Sequence, residues 1–345
     1  LSIRIINSDV LAGLASLPDN SVDCCVTSPP YWGLRDYGVE GQLGLEPTLV
    51  EHIEAMARVF EEVRRVLKPE GTCWMNYGDC YATTPNGRSA AATKAAGNDD
   101  RTFRDKPFST IGGALKAKDL CMIPNRMAIA LQEAGWWVRS EIIWHKPNPM
   151  PESITDRPAT AHEKVFLLTK SARYFYDAEA VREPASESSV ARWSQNIDSQ
   201  VGSDRANGGA KTNGKMKAVG GPKKDKQRGH SRRHAGLNDR WDKMTKAEQM
   251  ANVRNLRNVW TISTAAFSDA HFATFPPALV ENCIKAGCPK GGLVLDPFGG
   301  SGTTGMVADR LGRDGILIEL NPEYAEMARR RISADAGMFA EVAAE

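Results

Sequence analysis

Residues 292–305 read GLVLDPFGGSGTTG. A short apolar run, Gly292–Asp296, leads through Pro297 into Gly300, Gly302 and Gly305, a G-x-G-x-x-G spacing, and Thr303–Leu311 continues as a predicted helix. Strand, glycine turn and helix in that order let backbone approach a ligand at a helix N-terminus. The next predicted strand, Gly315–Glu319 (GILIE), ends in an acid about 20 residues after the loop, where a carboxylate accepts hydrogen bonds from two ribose hydroxyls. A tight turn without a ligand is the bland alternative, and the strand, helix and acid around the glycines weigh against it. The predicted fold class is α/β, Rossmann-like, with a mixed, mostly parallel sheet.

Two ligands suit such a loop, a nicotinamide dinucleotide and S-adenosylmethionine. In a nicotinamide-binding unit the loop usually follows the first strand, with further βα units downstream. Here only one strand and a helix, Pro322–Ile332 capped by Asn321, follow the loop. The other strands must come from the N-terminal half. This implies a circularly permuted order, with the nucleoside site near one end of the chain and the chemistry near the other, and favours S-adenosylmethionine. A nicotinamide oxidoreductase would also need an acid–base partner, and none is placed.

Residues 27–31, Thr-Ser-Pro-Pro-Tyr, follow the predicted strand Asp23–Thr27 (DCCVT). The carboxyl end of such a strand is where α/β enzymes bind ligands. Pro29 and Pro30 stiffen the backbone and remove two N–H donors, leaving carbonyls to face a site. The Ser28 hydroxyl and the Pro29 carbonyl can accept hydrogen bonds from an exocyclic amine, and Tyr31 and Trp32 offer flat faces to a base. Two acceptors favour a pyramidal amine whose lone pair points at a methyl donor, so transfer is direct. Cys24 and Cys25 are then core strand residues, not nucleophiles.

Other elements fall around these two motifs. Ser2–Asn7, Gly71–Asn76, Val138–Trp144, Lys164–Thr169 and Tyr174–Tyr176 read as strands, and Val10–Ser16, Thr48–Leu67, Leu120–Ala134 and Phe275–Ala286 as helices. Lys68-Pro69-Glu70-Gly71 reads as the stop of the second helix. Residues 83–118 read as a long mobile loop of small and polar residues.

The chain has 345 residues and a formal net charge of +2, which excludes a uniformly basic protein and a strongly acidic disordered one. The charge is unevenly placed. Residues 183–258 carry 16 Lys+Arg against 8 Asp+Glu, and 205–233 carry ten against one, so a basic arm sits on a mildly acidic body. A solvated, disordered insertion explains this composition as well as a phosphate-binding surface does. Seven cysteines without a CxxC pair give no disulfide or zinc framework and fit a reducing compartment. No apolar run reaches the length of about 18 residues needed for a membrane span. The opening LSIRIINSDV lacks a charged leader, and the expected location is the cytoplasm.

TSPPYWGLRDYG (27–38), DPFGGSGTT (296–304) and NSDVLAGLASLPDNSVD (7–23) together resemble the SAM-dependent DNA amino-methyltransferases of the circularly permuted beta class. The long TSPPYWGLRDYG form is at home among phage and prophage enzymes. The resemblance implies a catalytic segment of Ser28, Pro29, Pro30 and Tyr31. It implies a cofactor site built from Asp9 near the adenine, Asp296, Phe298, Gly300, Gly302 and Thr303 in the loop, Glu319 on the ribose with Asn321 beside it, and Phe275 and Pro276 on the methionine part. WHKPNPMPES (144–153) and RPATAHEKVFLLTKSARYFYD (157–177) resemble the far half of a target-base pocket, with His162-Glu163 as a satisfied structural pair.

The family places target recognition where the basic stretch falls. This implies a catalytic half (1–182), a DNA-recognition insertion (183–258) and a SAM-binding half (259–345). Lys223, Lys224, Lys226, Arg228, Arg232, Arg233 and Arg240 are the expected DNA contacts. Double-stranded DNA is the expected partner, with base flipping. A homodimer and a separately acting cognate restriction endonuclease are also compatible with the family, and no metal is expected. Ser at the first motif position points to cytosine N4, with adenine N6 as the alternative. A degenerate, non-catalytic DNA-binding relative is the remaining reading.

Overall fold

A computed structural model describes residues 2–34, 36, 38–84, 108–185, 253–264 and 275–336, together with the backbone of 341–344. The chain divides into two compact units, Leu1–Ala180 with Arg257–Glu345, and Val181–Leu256. Most of the second unit, with every cation expected on DNA, lies outside the described residues, as does most of the 83–118 loop.

The strands are β1 (Ser2–Asn7), β2 (Val22–Thr27), β3 (Leu67–Tyr77), β4 (Trp137–His145), β5 (His162–Thr169), β6 (Glu183–Pro184), β7 (Val253–Arg254), β8 (Val259–Thr261), β9 (Leu293–Asp296), β10 (Asp314–Glu319) and β11 (Glu341–Ala344). The helices are α1 (Val10–Ala15), α2 (Leu49–Val66), α3 (Ile123–Glu133), α4 (Pro277–Gly287), α5 (Thr303–Arg310) and α6 (Pro322–Ala336). In the first unit nine described strands form one sheet, ordered β11-β1-β10-β9-β2-β3-β5-β4-β8. Its pairs are parallel except those of β5, which runs against β3 and β4. In the second unit β6 and β7 pair antiparallel.

Side-chain alternation in β10 shows how the sheet is covered. Ile318 lies against Gly13 of α1, while Leu317 lies against Gly305 of α5. Successive strand residues point to opposite faces, so these helices flank opposite sides. α1 packs on α2 and α2 on α3; α4 packs on α5 and α5 on α6. The result is a three-layer Rossmann-like α/β domain. Helix α2 begins with a capping box between Thr48 and Glu51, a feature worth about 1 kcal/mol. It buries Met56, Val59, Phe60 and Val63. At its other end Arg65 reaches back to the carbonyls of Leu14 and Leu17, completing the end of α1.

Several boundaries differ from the sequence expectation for local reasons. Lys68-Pro69-Glu70-Gly71 ends α2 but belongs to β3, where it forms an irregularity opposite the interval between Val22 and Cys24. α3 starts three residues later than expected, because Leu120 bridges to Tyr81 and Met122 takes a left-handed conformation ahead of Pro124. Tyr174–Tyr176 is not a strand: the Phe175 and Asp177 amides donate to the Glu70 and Ala286 carbonyls instead of to a ladder. β8 and β11, both short, were not expected. Among the described residues no helix is long and apolar enough to cross a membrane.

Candidate active site

A cavity of about 630 Å³ opens at the carboxyl ends of β1, β2, β3, β9 and β10. That volume falls in the range of roughly 300–1,000 Å³ common to small-molecule sites. One wall comes from Phe298–Ser301 and Glu319, and another from Ser28–Tyr31. The two motifs, about 270 residues apart in sequence, meet because β2 pairs directly with β9.

On the glycine-loop side, Glu319 ends β10 with its carboxylate fixed by two backbone amides. The Gly300 N–H donates to Oε2 at 2.7 Å and the Asn321 N–H to Oε1 at 2.8 Å. Burial pushes its carboxyl up, and the amides of Asn321 and Gly300 act against that shift. Asp9 caps α1, accepting from the amides of Leu11 and Ala12. Asp9, Phe275, Phe298, Gly300, Thr303, Glu319 and Asn321 all line the cavity. This is a fitting donor set for a nucleoside: aromatic and aliphatic walls, a fixed carboxylate for a ribose diol, and open backbone at the loop.

Three expected cofactor residues lie behind that wall. Pro276 is buried and caps the start of α4. Gly302 has φ +80°, and a Cβ there would lie 2.8 Å from the Cβ of Ala328. It serves the turn and the packing on α6. Asp296 is 1% exposed and accepts hydrogen bonds from Thr27 Oγ1 (2.7 Å), Thr304 Oγ1 (2.6 Å) and the Phe298 amide (3.1 Å). Its carboxyl is pushed up to about 7 by burial, against the pull of those hydrogen bonds.

On the other side, Ser28, Pro29, Pro30 and Tyr31 line the cavity together. The Ser28 hydroxyl donates to Tyr31 Oη at 3.4 Å, which leaves its lone pairs for an incoming amine. Tyr31 in turn donates to Glu163 Oε2 at 2.8 Å. Burial and the Glu163 charge push the Tyr31 phenol far up, so it stays a neutral donor. Trp32 does not share this role. It is 2% exposed, its indole N–H donates to the Glu46 carbonyl, and it packs in the core away from the cavity. Adjacent residues point in different directions here, which corrects the expectation that Trp32 faces a base.

Sequence reasoning missed several side chains. Glu163 is satisfied, as expected, but by groups of the site: Tyr31, the Asn76 amide and the Lys146 ammonium. Lys146 also sits 4.4 Å above the Trp144 ring. Asn76, Lys146, His162 and Glu163 all line the cavity. Beneath the glycine loop, Arg331 of α6 donates to the Ser301 carbonyl and hydroxyl and to Thr303 Oγ1. Cys24 and Cys25 are fully buried, and burial pushes both thiols well up, in keeping with core positions. Among the described residues no group of His, Cys, Asp and Glu could hold a metal ion.

A family model described as DNA methylase, N6_N4_Mtase, matches residues 22–330. The chain is 40% identical over 340 residues to Type II methyltransferase M.XycI of Xanthomonas campestris pv. cyanopsidis, covering 99% of this chain and 91% of that protein. It is 40% identical over 331 residues to Type II methyltransferase M.SmaI of Serratia marcescens, covering 96% and 91%. Among solved structures, PvuII DNA methyltransferase (cytosine-N4-specific) matches with a TM-score of 0.57 at 19% identity, over 99% of this chain and 90% of that chain, a likeness of fold.

Proposed function

The chain belongs to the N6_N4_Mtase family of DNA methylases, and from that premise we propose that it is a Type II DNA methyltransferase that methylates the N4 amine of cytosine. Its cofactor is S-adenosylmethionine, which when bound supplies an electrophilic methyl group. Ser28 lines one cavity with the glycine loop and Glu319; its hydroxyl suits either amine, and what supports cytosine is the family pattern in which Ser at the first position of this motif goes with N4.

Each residue has a part in this reading. Glu319 and the loop hold the nucleoside. Ser28 and the Pro29 carbonyl accept the N–H bonds of a flipped base, and the Tyr31 ring lies against it. Pro29 and Pro30 contribute no competing N–H. Glu163 fixes Tyr31 by its hydroxyl. Direct transfer needs no covalent enzyme intermediate and no metal. The strand order supports the circularly permuted class, since β9 and β10 enter the sheet between β1 and β2.

The basic stretch at 183–258 is read as the DNA-binding insertion, with Lys223, Lys224, Lys226, Arg228, Arg232, Arg233 and Arg240 on phosphates or bases. A homodimer and a separate restriction endonuclease fit a Type II system in the cytoplasm. Methylation of plasmid DNA with labelled cofactor, followed by nucleoside mass spectrometry, tests the function. N4-methylcytosine is expected. N6-methyladenine would replace cytosine as the target, and no incorporated methyl would refute the assignment.

A further inference from the structure

Directly beneath the Ser28–Tyr31 segment lies a histidine that the proposed chemistry does not use. His52 of α2 is fully buried. Its Nδ1 faces Glu46 Oε2 at 2.7 Å and its Nε2 faces the Tyr77 hydroxyl. Tyr77, also fully buried, donates that hydroxyl to the Pro30 carbonyl at 2.9 Å. Its ring stacks on Tyr31 with centroids 4.9 Å apart and planes 23° apart. We propose that Glu46, His52 and Tyr77 form a buried relay that positions the Pro30 carbonyl and the Tyr31 ring for methyl transfer.

Hydrogen-bond inventory shows how the relay holds the segment. A carbonyl only accepts, so the single Tyr77 O–H is spent on Pro30. The Tyr77 oxygen also meets His52 Nε2 and the Trp32 amide, so every polar neighbour of this buried hydroxyl belongs to the relay or to the segment it supports. Burial raises the Glu46 carboxyl, but the hydrogen bond and charge of His52 and the Gly44 amide outweigh it and hold it below its usual range. A carboxylate only accepts, so the Nδ1 that faces it is the donor of that contact. Apolar residues of similar size would fill this space without the cost of burying charge. What the pair adds is direction. Glu46 also receives the Gly44 amide, and its carbonyl receives the Trp32 indole, so the relay is tied to the loop that leaves Tyr31. At the ring edge, Gly78 leaves room for Tyr31: a Cβ there would lie 2.5 Å from Cε2.

The inference rests on the proposed methyl transfer, and the test separates the two. Steady-state transfer of labelled methyl to plasmid DNA is measured for Tyr77→Phe, His52→Leu and the double variant, with S-adenosylmethionine affinity measured by calorimetry. Each single variant should lose roughly tenfold to a hundredfold in kcat, the scale of misplaced reacting groups. Cofactor affinity should stay unchanged, because Glu319 and the glycine loop are untouched. The double variant should be no slower than the slower single one, since both act through one carbonyl. Unchanged kcat, or losses that multiply, overturns the relay. Should the variants fail to fold, ring resonances of His52 in the wild-type protein decide: a slowly exchanging, far-downfield Nδ1–H proton held by Glu46 supports the relay, and its absence overturns it. If the wild type transfers no methyl at all, the functional reading fails, while the resonances still report on the hydrogen bonds.

Discussion

Thr27 at the end of β2 donates its hydroxyl to Asp296 at the end of β9 across 2.7 Å, joining the two motifs from behind the cavity wall. The Asp296 carboxyl is pushed up to about 7 by burial, against about 3.9 for an unfolded aspartate. The folded state therefore holds this proton more tightly than the unfolded chain. Its contribution to stability is full below the unfolded value and is lost as pH rises through about 7. Asp296→Asn cannot titrate. Its stability relative to the wild type should improve by a few kcal/mol (order of magnitude) between about pH 4 and about pH 8 in urea unfolding. Parallel profiles for the two proteins would contradict the buried, protonatable carboxyl.

Glu319→Ala should weaken S-adenosylmethionine binding. The carboxylate is already oriented by Gly300 and Asn321, and hydrogen bonds to a charged group are worth about 1.5–3 kcal/mol, or roughly tenfold to a hundredfold in Kd. Calorimetric titration reads this directly, and wild-type affinity in the variant would remove Glu319 from the cofactor site.

Tyr31→Phe keeps the ring on Tyr77 but loses the hydrogen bond to Glu163. Tyr31→Ala loses both. The expected order of kcat is wild type, then Phe, then Ala, and Ser28→Ala should fall by on the order of a hundredfold, as when one preorganised polar contact is removed. Single-turnover methylation distinguishes these cases. A Ser28→Ala enzyme as fast as the wild type would rule out the hydroxyl as an acceptor for the amine.

Deleting residues 205–233, which carry ten Lys+Arg and one acid, should lower DNA affinity and flatten its dependence on salt. Each phosphate contact adds about 0.9 to the slope of log K against log salt. Binding measured over a range of salt concentrations gives that slope. An unchanged slope would mean that the basic stretch touches no phosphate.

The glycine loop and Ser28–Tyr31 could be read from the chain because each is a local motif whose neighbours in sequence are also its neighbours in space. Glu163, Lys146 and His52 could not. Their roles depend on which strand lies beside which: β5 runs antiparallel to β3, with Tyr77 opposite Lys164, and this brings Glu163 to Asn76 and Tyr31. No local spacing encodes that register. Trp32 shows the opposite failure. Its proximity in sequence to Tyr31 suggested a shared surface, but one step of backbone turned it into the core. Asp296 reads as a cofactor residue because it belongs to the motif. Its complete burial, a property of the packed sheet, moves it behind the wall.

The order of the sheet also governs how the molecule can come into being. β1 and β2 are made first, yet β10 and β9 lie between them. The bond from the Ser2 amide to Asp314 closes a separation of 312 residues. During synthesis, β1 and β2 must wait with unpaired edges, which are prone to mispairing, until β9 and β10 have left the ribosome. Folding dominated by such distant contacts is slow. The same wait delays function. Ser28 exists early, but the loop that faces it arrives only with the last strands, so a nascent chain has half a cavity and no means of modifying the DNA beside it.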